Sequence, residues 1–140
     1  MLASVGFRCV VLEDREEFLQ KELFPGAWEV RRVCNDRISE TVKIREEDYV
    51  CILTRGHKDD MIIQAQVLQT KASYIGVIGS RRKAAAVAAA LKERYHISSE
   101  ELKRVHTPIG LPIGAETPAE IAVSIAAELI RCRAGQPDKK

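Results

Sequence analysis

Short apolar runs alternate with amphipathic and polar stretches along this 140-residue chain. Phe7-Arg8-Cys9-Val10-Val11-Leu12 is a β-rich run that ends in Glu13-Asp14-Arg15. Tyr49 to Leu53 and Tyr74 to Ile78 are continuously apolar, the pattern of strands buried on both faces. Trp28 to Val33 alternates apolar and polar residues, which predicts a short edge strand. Arg15 to Leu23 has helical composition, and Phe24-Pro25-Gly26 stops it. Asp36 to Asp48 is ambiguous between a helical turn and a loop. Thr54 to Lys58 reads as a loop, with Asp59 placed to cap a helix from Asp60 to about Gln69. The third apolar run ends in Gly79-Ser80 and opens an Ala-rich helix from Arg81 to Tyr95. Ser98 and Glu101 have capping-box spacing and open a short helix. Pro108 to Gly114 is rich in turn residues. Thr117-Pro118-Ala119-Glu120 is a strong start for a last helix running to about Arg131, and Gly135 to Lys140 reads as a frayed tail.

Strands near 7–12, 49–53 and 74–78, separated by helices, are the βαβ pattern of an α/β fold, a parallel sheet with helices on both faces. The length suits one domain, expected over 1–132, with a flexible tail at 133–140. Hydrophobic residues at 46% and charged residues at 30% support a packed core. A formal net charge of +2 argues against a dedicated nucleic-acid binder. No apolar run approaches the roughly 20 residues of a membrane span. The opening lacks a basic segment before an apolar one, so a cytoplasmic protein without a secretory signal is expected. Four cysteines carry no C-x-x-C or zinc spacing. Cys9 and Cys51 fall in apolar strands and read as buried thiols, whereas Cys34 and Cys132 read as exposed. Neither a disulfide nor a metal site is expected.

Ligands of open parallel α/β sheets bind beyond the carboxyl ends of the strands. Three segments belong there: Glu13-Asp14-Arg15, Thr54-Arg55-Gly56-His57 and Gly79-Ser80-Arg81-Arg82. In the third, a glycine lets backbone approach a ligand, the helix start offers free N–H groups, and Ser80, Arg81 and Arg82 suit a phosphate. The alternative is that Ser80 merely caps the helix and the arginines are solvated. Asp14 is placed either to bind a ribose hydroxyl or to pair on the surface with Arg15. His57, in its loop, could titrate near neutral pH, touch a ligand or bind metal, or it could serve as a hydrogen-bonding partner. His106 is a weaker candidate of the same kind, and His96 a weaker one still. Tyr74 and Trp28 read as core or cover. The chain has no P-loop, G-x-S-x-G, H-E-x-x-H or G-x-G-x-x-G motif, which counts against a self-contained nicotinamide-dependent enzyme.

Three stretches together resemble the C-terminal, Rossmann-like domain of the XdhC/CoxI family: YVCILTRGHKDD from Tyr49, YIGVIGSRRK from Tyr74, and VHTPIGLPIGAETPAEIAVSIAAE from Val105. FRCVVLEDR and FPGA look like that family's second strand and the segment after it. The resemblance covers most of the chain, and its last stretch is the most specific. It implies an accessory role in the maturation of xanthine dehydrogenase-type hydroxylases. In that role the protein binds molybdopterin-type cofactor, in plain or nucleotide form, aids its sulfuration with a cysteine desulfurase, and helps insert it into a molybdenum hydroxylase. Such a protein is a cofactor chaperone more than a catalyst. The positions matching family motifs around the expected crevice are Asp14, Thr54, Arg55, Gly56, His57, Gly79, Ser80, Arg81, Arg82 and Lys83. Pro108 to Gly110 and Thr117 to Glu120 match too, read first as a rigid turn and a capped helix. The family's glycine-rich strand-turn-helix and N-terminal domain have no counterpart ahead of Phe7. The Rossmann-like sheet is therefore expected to lack its usual first strand and glycine-rich loop, and to expose apolar surface that favours self-association or a complementing chain. Two other functions stay open: an NAD(P)-dependent oxidoreductase and a non-catalytic docking module.

Overall fold

Val10–Glu13 (β1) and Glu29–Arg32 (β2) pair in parallel in the computed structural model, which describes residues 1–135. They belong to the first of two compact units, Met1–Lys43; the second begins at Ile44. The helix expected between the two strands, over Arg15 to Leu23, is replaced by two short 3-10 turns, Glu16–Phe18 and Lys21–Leu23. The residues ahead of them, Arg15 and Gln20, are extended, and their side chains cap nothing. A nine-residue segment without a cap is too short to repay helix nucleation. The ambiguous stretch after β2 holds one more 3-10 turn, Ile38–Glu40, with Ile38 buried. Glu13, expected beyond the first strand, is its last residue.

The second unit is built on a three-stranded parallel sheet in the order Tyr49–Ile52 (β3), Tyr74–Val77 (β4), Val105–His106 (β5). β4 is central, with Val50 opposite Ile75 and Ile75 opposite Val105. All four β4 residues are buried, as their apolar run requires. In β3, by contrast, only Ile52 is fully buried, because this strand has one neighbour in its sheet. Gly76 has no room for a side chain: a Cβ there would lie 2.5 Å from the Tyr74 hydroxyl and 2.6 Å from Ile109. The two-residue β5 carries too little pattern to be read from sequence.

His57–Val67 (α1), Arg81–Tyr95 (α2), Ser99–Leu102 (α3) and Pro118–Arg133 (α4) complete this unit. α1 begins at His57, three residues before the expected start, and Asp59 does not cap it. Gly56 occupies the cap position. α2, α3 and α4 start where their caps predict. Ser98 and Thr117 each form complete capping boxes, with Glu101 and Glu120. Val67, Tyr74, Ile75, Leu91 and Leu129 are the largest fully buried side chains. Arg104 ties β5 to the end of α1, donating to the carbonyls of Leu68, Thr70 and Ala72 at 3.1, 2.9 and 3.2 Å. The Leu68 carbonyl caps the negative end of α1, where a cation is favoured, and Thr70 and Ala72 lie in the segment that follows it. No helix among the described residues is long and apolar enough to cross a membrane. Of the tail expected over 133–140, Arg133 closes α4, and residues 136–140 lie outside the described residues.

Candidate functional site

The start of α2 carries the expected anion-binding elements. Gly79 adopts φ +145°, a conformation glycine tolerates best, and turns the chain out of β4. The Ser80 hydroxyl accepts from the Lys83 backbone N–H at 3.3 Å, so its side chain caps the helix, as its ordinary alternative held. Arg81, Arg82 and Lys83 follow, all exposed. The first turn of α2 has no acidic residue. Three cations therefore crowd the positive end of a helix, a charge arrangement that an anion relieves.

The segment after β3 folds around Thr54. Its hydroxyl donates to the Asp60 carboxylate at 2.5 Å and accepts from the Gly56 N–H at 3.4 Å. This clasp holds Gly56 extended and sets His57 as the first residue of α1 instead of a loop residue. His57 and Arg55 are exposed, while Asp60 is buried, 6% exposed. Burial pushes the Asp60 carboxyl above the usual carboxylate range, against the opposing pull of the Thr54 hydroxyl.

Of these two segments, His57 and Lys83 reach a cleft between α1 and α2, whereas Thr54, Arg55, Gly56, Gly79, Ser80, Arg81 and Arg82 do not line it. His57, Asp60 and Gln64 line it from α1, and Lys83, Ala84 and Ala88 from α2. The end of β4 closes it at Val77 and Ile78, and Thr107 contributes from beyond β5. Its volume is about 60 Å³, well below the roughly 300–1,000 Å³ of pockets that enclose a whole drug-sized ligand. It therefore suits one edge of a ligand whose remainder lies along the surface. Asp60 and Gln64 went unmarked in the sequence. Their signal was faint: polar residues four apart on a helix, sharing one face.

Asp14 lies in the first unit and is exposed. The guanidinium of Arg15 bonds Glu13, not Asp14, donating at 2.8 and 3.0 Å, and rests 4.2 Å over the Phe18 ring. The Arg15 hydrogen bonds hold the Glu13 carboxyl at about 2. The surface pairing of Asp14 with Arg15 is thus corrected: the glutamate ending β1 reaches the guanidinium instead. Among the cysteines, Cys34 is exposed as expected. Cys132 is half-buried, as are Cys9 and Cys51, and burial pushes the Cys9 and Cys132 thiols up. All four are free thiols, and the described residues hold no cluster of three or more metal-ligating side chains.

A second polar cluster lies inside the unit. Glu128 of α4 accepts from the Tyr74 hydroxyl at 2.5 Å and the Gly110 N–H at 2.7 Å. His106 Nδ1 and the Arg131 guanidinium each stand 3.7 Å from its other oxygen. Burial alone would raise this carboxyl, but His106, Tyr74 and the Gly110 N–H outweigh it and hold it at about 2. Tyr74 stacks on His106 with ring centroids 4.6 Å apart, so both serve the core. Burial, aided by Glu128, pushes the Tyr74 phenol up. The sequence signal for this cluster was a lone glutamate in the apolar run IAVSIAAELI. Gly110, at φ +99°, sits against Ser124, whose hydroxyl donates to the Leu111 carbonyl at 2.7 Å. Pro108 to Gly110 thus forms the rigid turn that was expected.

The family model of the XdhC Rossmann domain matches residues 1–129. The uncharacterized protein YqeB of Escherichia coli is 30% identical over 136 residues, covering 96% of this chain and 25% of that protein. A protein of Bacillus subtilis named as a probable xanthine dehydrogenase component is 27% identical, over 95% of this chain and 38% of that protein. A solved structure of a xanthine dehydrogenase from Bacillus halodurans superposes with a TM-score of 0.81 at 29% identity, covering 97% of this chain and 38% of that one. The chain thus spans a quarter to two fifths of the length of these relatives. Parallel pairing of every strand, helices packed on the central sheet and a match across nearly the whole chain agree: the protein belongs to the XdhC Rossmann domain family.

Proposed function

We propose that this domain serves in the maturation of a xanthine dehydrogenase-type molybdenum hydroxylase, binding molybdopterin-type cofactor at the strand ends of its second unit. The observation that carries this reading is the cleft between α1 and α2, flanked by the cationic, acid-free start of α2. Arg81, Arg82 and the backbone of Gly79 and Ser80 would hold the phosphate, and Thr54, Arg55, Gly56 and His57 would border the ring system. Asp14, in the first unit, stands in this proposal on its family-motif position alone. When bound, the cofactor supplies the molybdenum redox chemistry that the client hydroxylase uses. The donor set fits the organic part of that group, because a phosphate meets cations and helix N–H groups while the cleft admits the edge of a flat ring.

The partners in this reading are a cysteine desulfurase and the molybdenum hydroxylase itself, in the cytoplasm. Relatives named for xanthine dehydrogenase support the hydroxylase. Self-association, or docking of a complementing chain, fits the exposed Val123 and Ile130 on α4, 45% and 39% exposed and two turns apart on one face. The test is equilibrium binding of purified molybdopterin cofactor, kept anaerobic, to the wild type and to the double variant Arg81→Ala/Arg82→Ala. Binding that falls at least tenfold in the double variant supports the reading. Absence of wild-type binding overturns it and leaves a docking role.

A further inference from the structure

Asp60 and Gln64 stand one helical turn apart on α1, so their side chains leave the same face. Both line the cleft, and both are about nineteen-twentieths buried, at 6% and 5% exposure. The Thr54 hydroxyl occupies Oδ1 of Asp60. Among the hydrogen bonds of the described residues, none involves the Gln64 amide or Asp60 Oδ2. The Gln64 amide and Asp60 Oδ2 are not closed off from solvent, so both open into the cleft that the two residues line, where a ligand's polar edge would meet them in place of water. Apart from Lys83, the lining from α2 and the strand end is apolar: Ala84 and Ala88, again one turn apart, with Val87 between them and Val77 and Ile78 at the end of β4.

We propose that Asp60 and Gln64 read the polar edge of a planar heterocycle that presents adjacent N–H donors, as the ring N–H and exocyclic amine of an aminopyrimidinone do. The assignment rests on the cofactor-binding reading above and names the atoms that would select the ring. An ionised carboxylate only accepts, so it matches two neighbouring N–H groups and rejects an edge with a bare ring nitrogen beside an amine. The Gln64 amide supplies both an acceptor and a donor for the adjoining positions. The 60 Å³ volume admits an edge and not a whole cofactor. The burial that raises the Asp60 carboxyl agrees with this role, because N–H donors from a ligand replace the solvation the carboxylate lacks.

Two sources carry this edge, a guanine nucleotide and a free pterin. Calorimetric titration of the full chain with GMP, pterin and AMP separates them, since AMP lacks the adjacent donors. GMP or pterin should bind at least tenfold more tightly than AMP, and the tighter of the two identifies the source. Asp60→Asn should weaken that ligand at least tenfold and Gln64→Ala about threefold or more, with circular dichroism spectra unchanged. If Asp60→Asn unfolds, Gln64→Ala and the AMP comparison decide. Equal binding of AMP, or no binding of GMP and pterin, overturns the proposal, as do variants that bind like the wild type. If the intact molybdopterin cofactor still binds Asp60→Asn as tightly as the wild type, this assignment fails while the cofactor reading stands.

Discussion

Glu128 is a carboxylate inside an otherwise apolar helix face, and its neighbours explain why it is tolerated there. Two hydrogen bonds, the His106 ring and the Arg131 guanidinium surround it, so removing it strands the Tyr74 hydroxyl and the Gly110 N–H without acceptors. Glu128→Ala should cost about 3–5 kcal/mol in urea unfolding, and Tyr74→Phe about 1.5–3 kcal/mol, because the phenol bonds a charged acceptor. The same carboxyl sets a pH dependence. Its folded-state value near 2 lies below the 4.5 of the free group, so its contribution is complete above pH 4.5 and is lost as pH falls toward 2. The full difference is roughly 3 kcal/mol. Melting temperatures of Glu128→Gln should fall less steeply than those of the wild type through that window; the slope that remains comes in part from Glu13, which is held at about 2 as well. Asp60 has the opposite sign. Its raised carboxyl makes ionisation costly in the folded state, so that cost is present at neutral pH and relieved on acidification. Asp60→Asn should therefore melt higher than the wild type at pH 7, and an equal or lower melting temperature there would contradict the sign.

Among the elements, local chemistry decided where helices start. Thr117 with Glu120 and Ser98 with Glu101 satisfy their helix starts reciprocally, and Ser80 caps α2 with a longer bond. Thr117→Ala should lose about 1 kcal/mol by urea unfolding. Gly110→Ala should lose about 2 kcal/mol or more: its φ of +99° disfavours any Cβ, and Ser124 blocks the space. A smaller loss at position 110 than at 117 would mean that the turn after β5 yields more easily than this packing implies. α1 was misplaced because its start is set without a side-chain cap. Thr54 reaches forward six residues to Asp60, and that bond draws Gly56 into the cap position and His57 into the helix.

At the scale of the molecule, the residues that line the cleft come from α1, β4, α2, α3, β5 and the turn after it, all in the unit that begins at Ile44. No single stretch of sequence contains the site. The exposed Val123 and Ile130 put an apolar patch on the outer face of α4. Light scattering after size exclusion should give a mass of at least twice the 15.6 kDa of one chain, falling when both are changed to Ser. A 15.6 kDa species at every concentration would rule out self-association through this face.

The order of residues alone specifies the α/β class, the two strands of continuous apolar character, the three capped helices and the glycine turn that ends β4. Each of these is written in local periodicity or in a cap spanning three residues. It also marks Thr54 to His57 and Gly79 to Arg82 as neighbours beyond strand ends, because parallel strands place their carboxyl ends together. Packing in three dimensions was needed to show that Asp60 and Gln64 share a cleft with His57 and not with Gly79 to Arg82, that Tyr74, His106 and Glu128 close a buried network across 54 positions of sequence, and that Arg15 to Leu23 makes turns and no helix. Those outcomes depend on burial and on partners distant along the chain, and neither quantity is carried by a local pattern of residues.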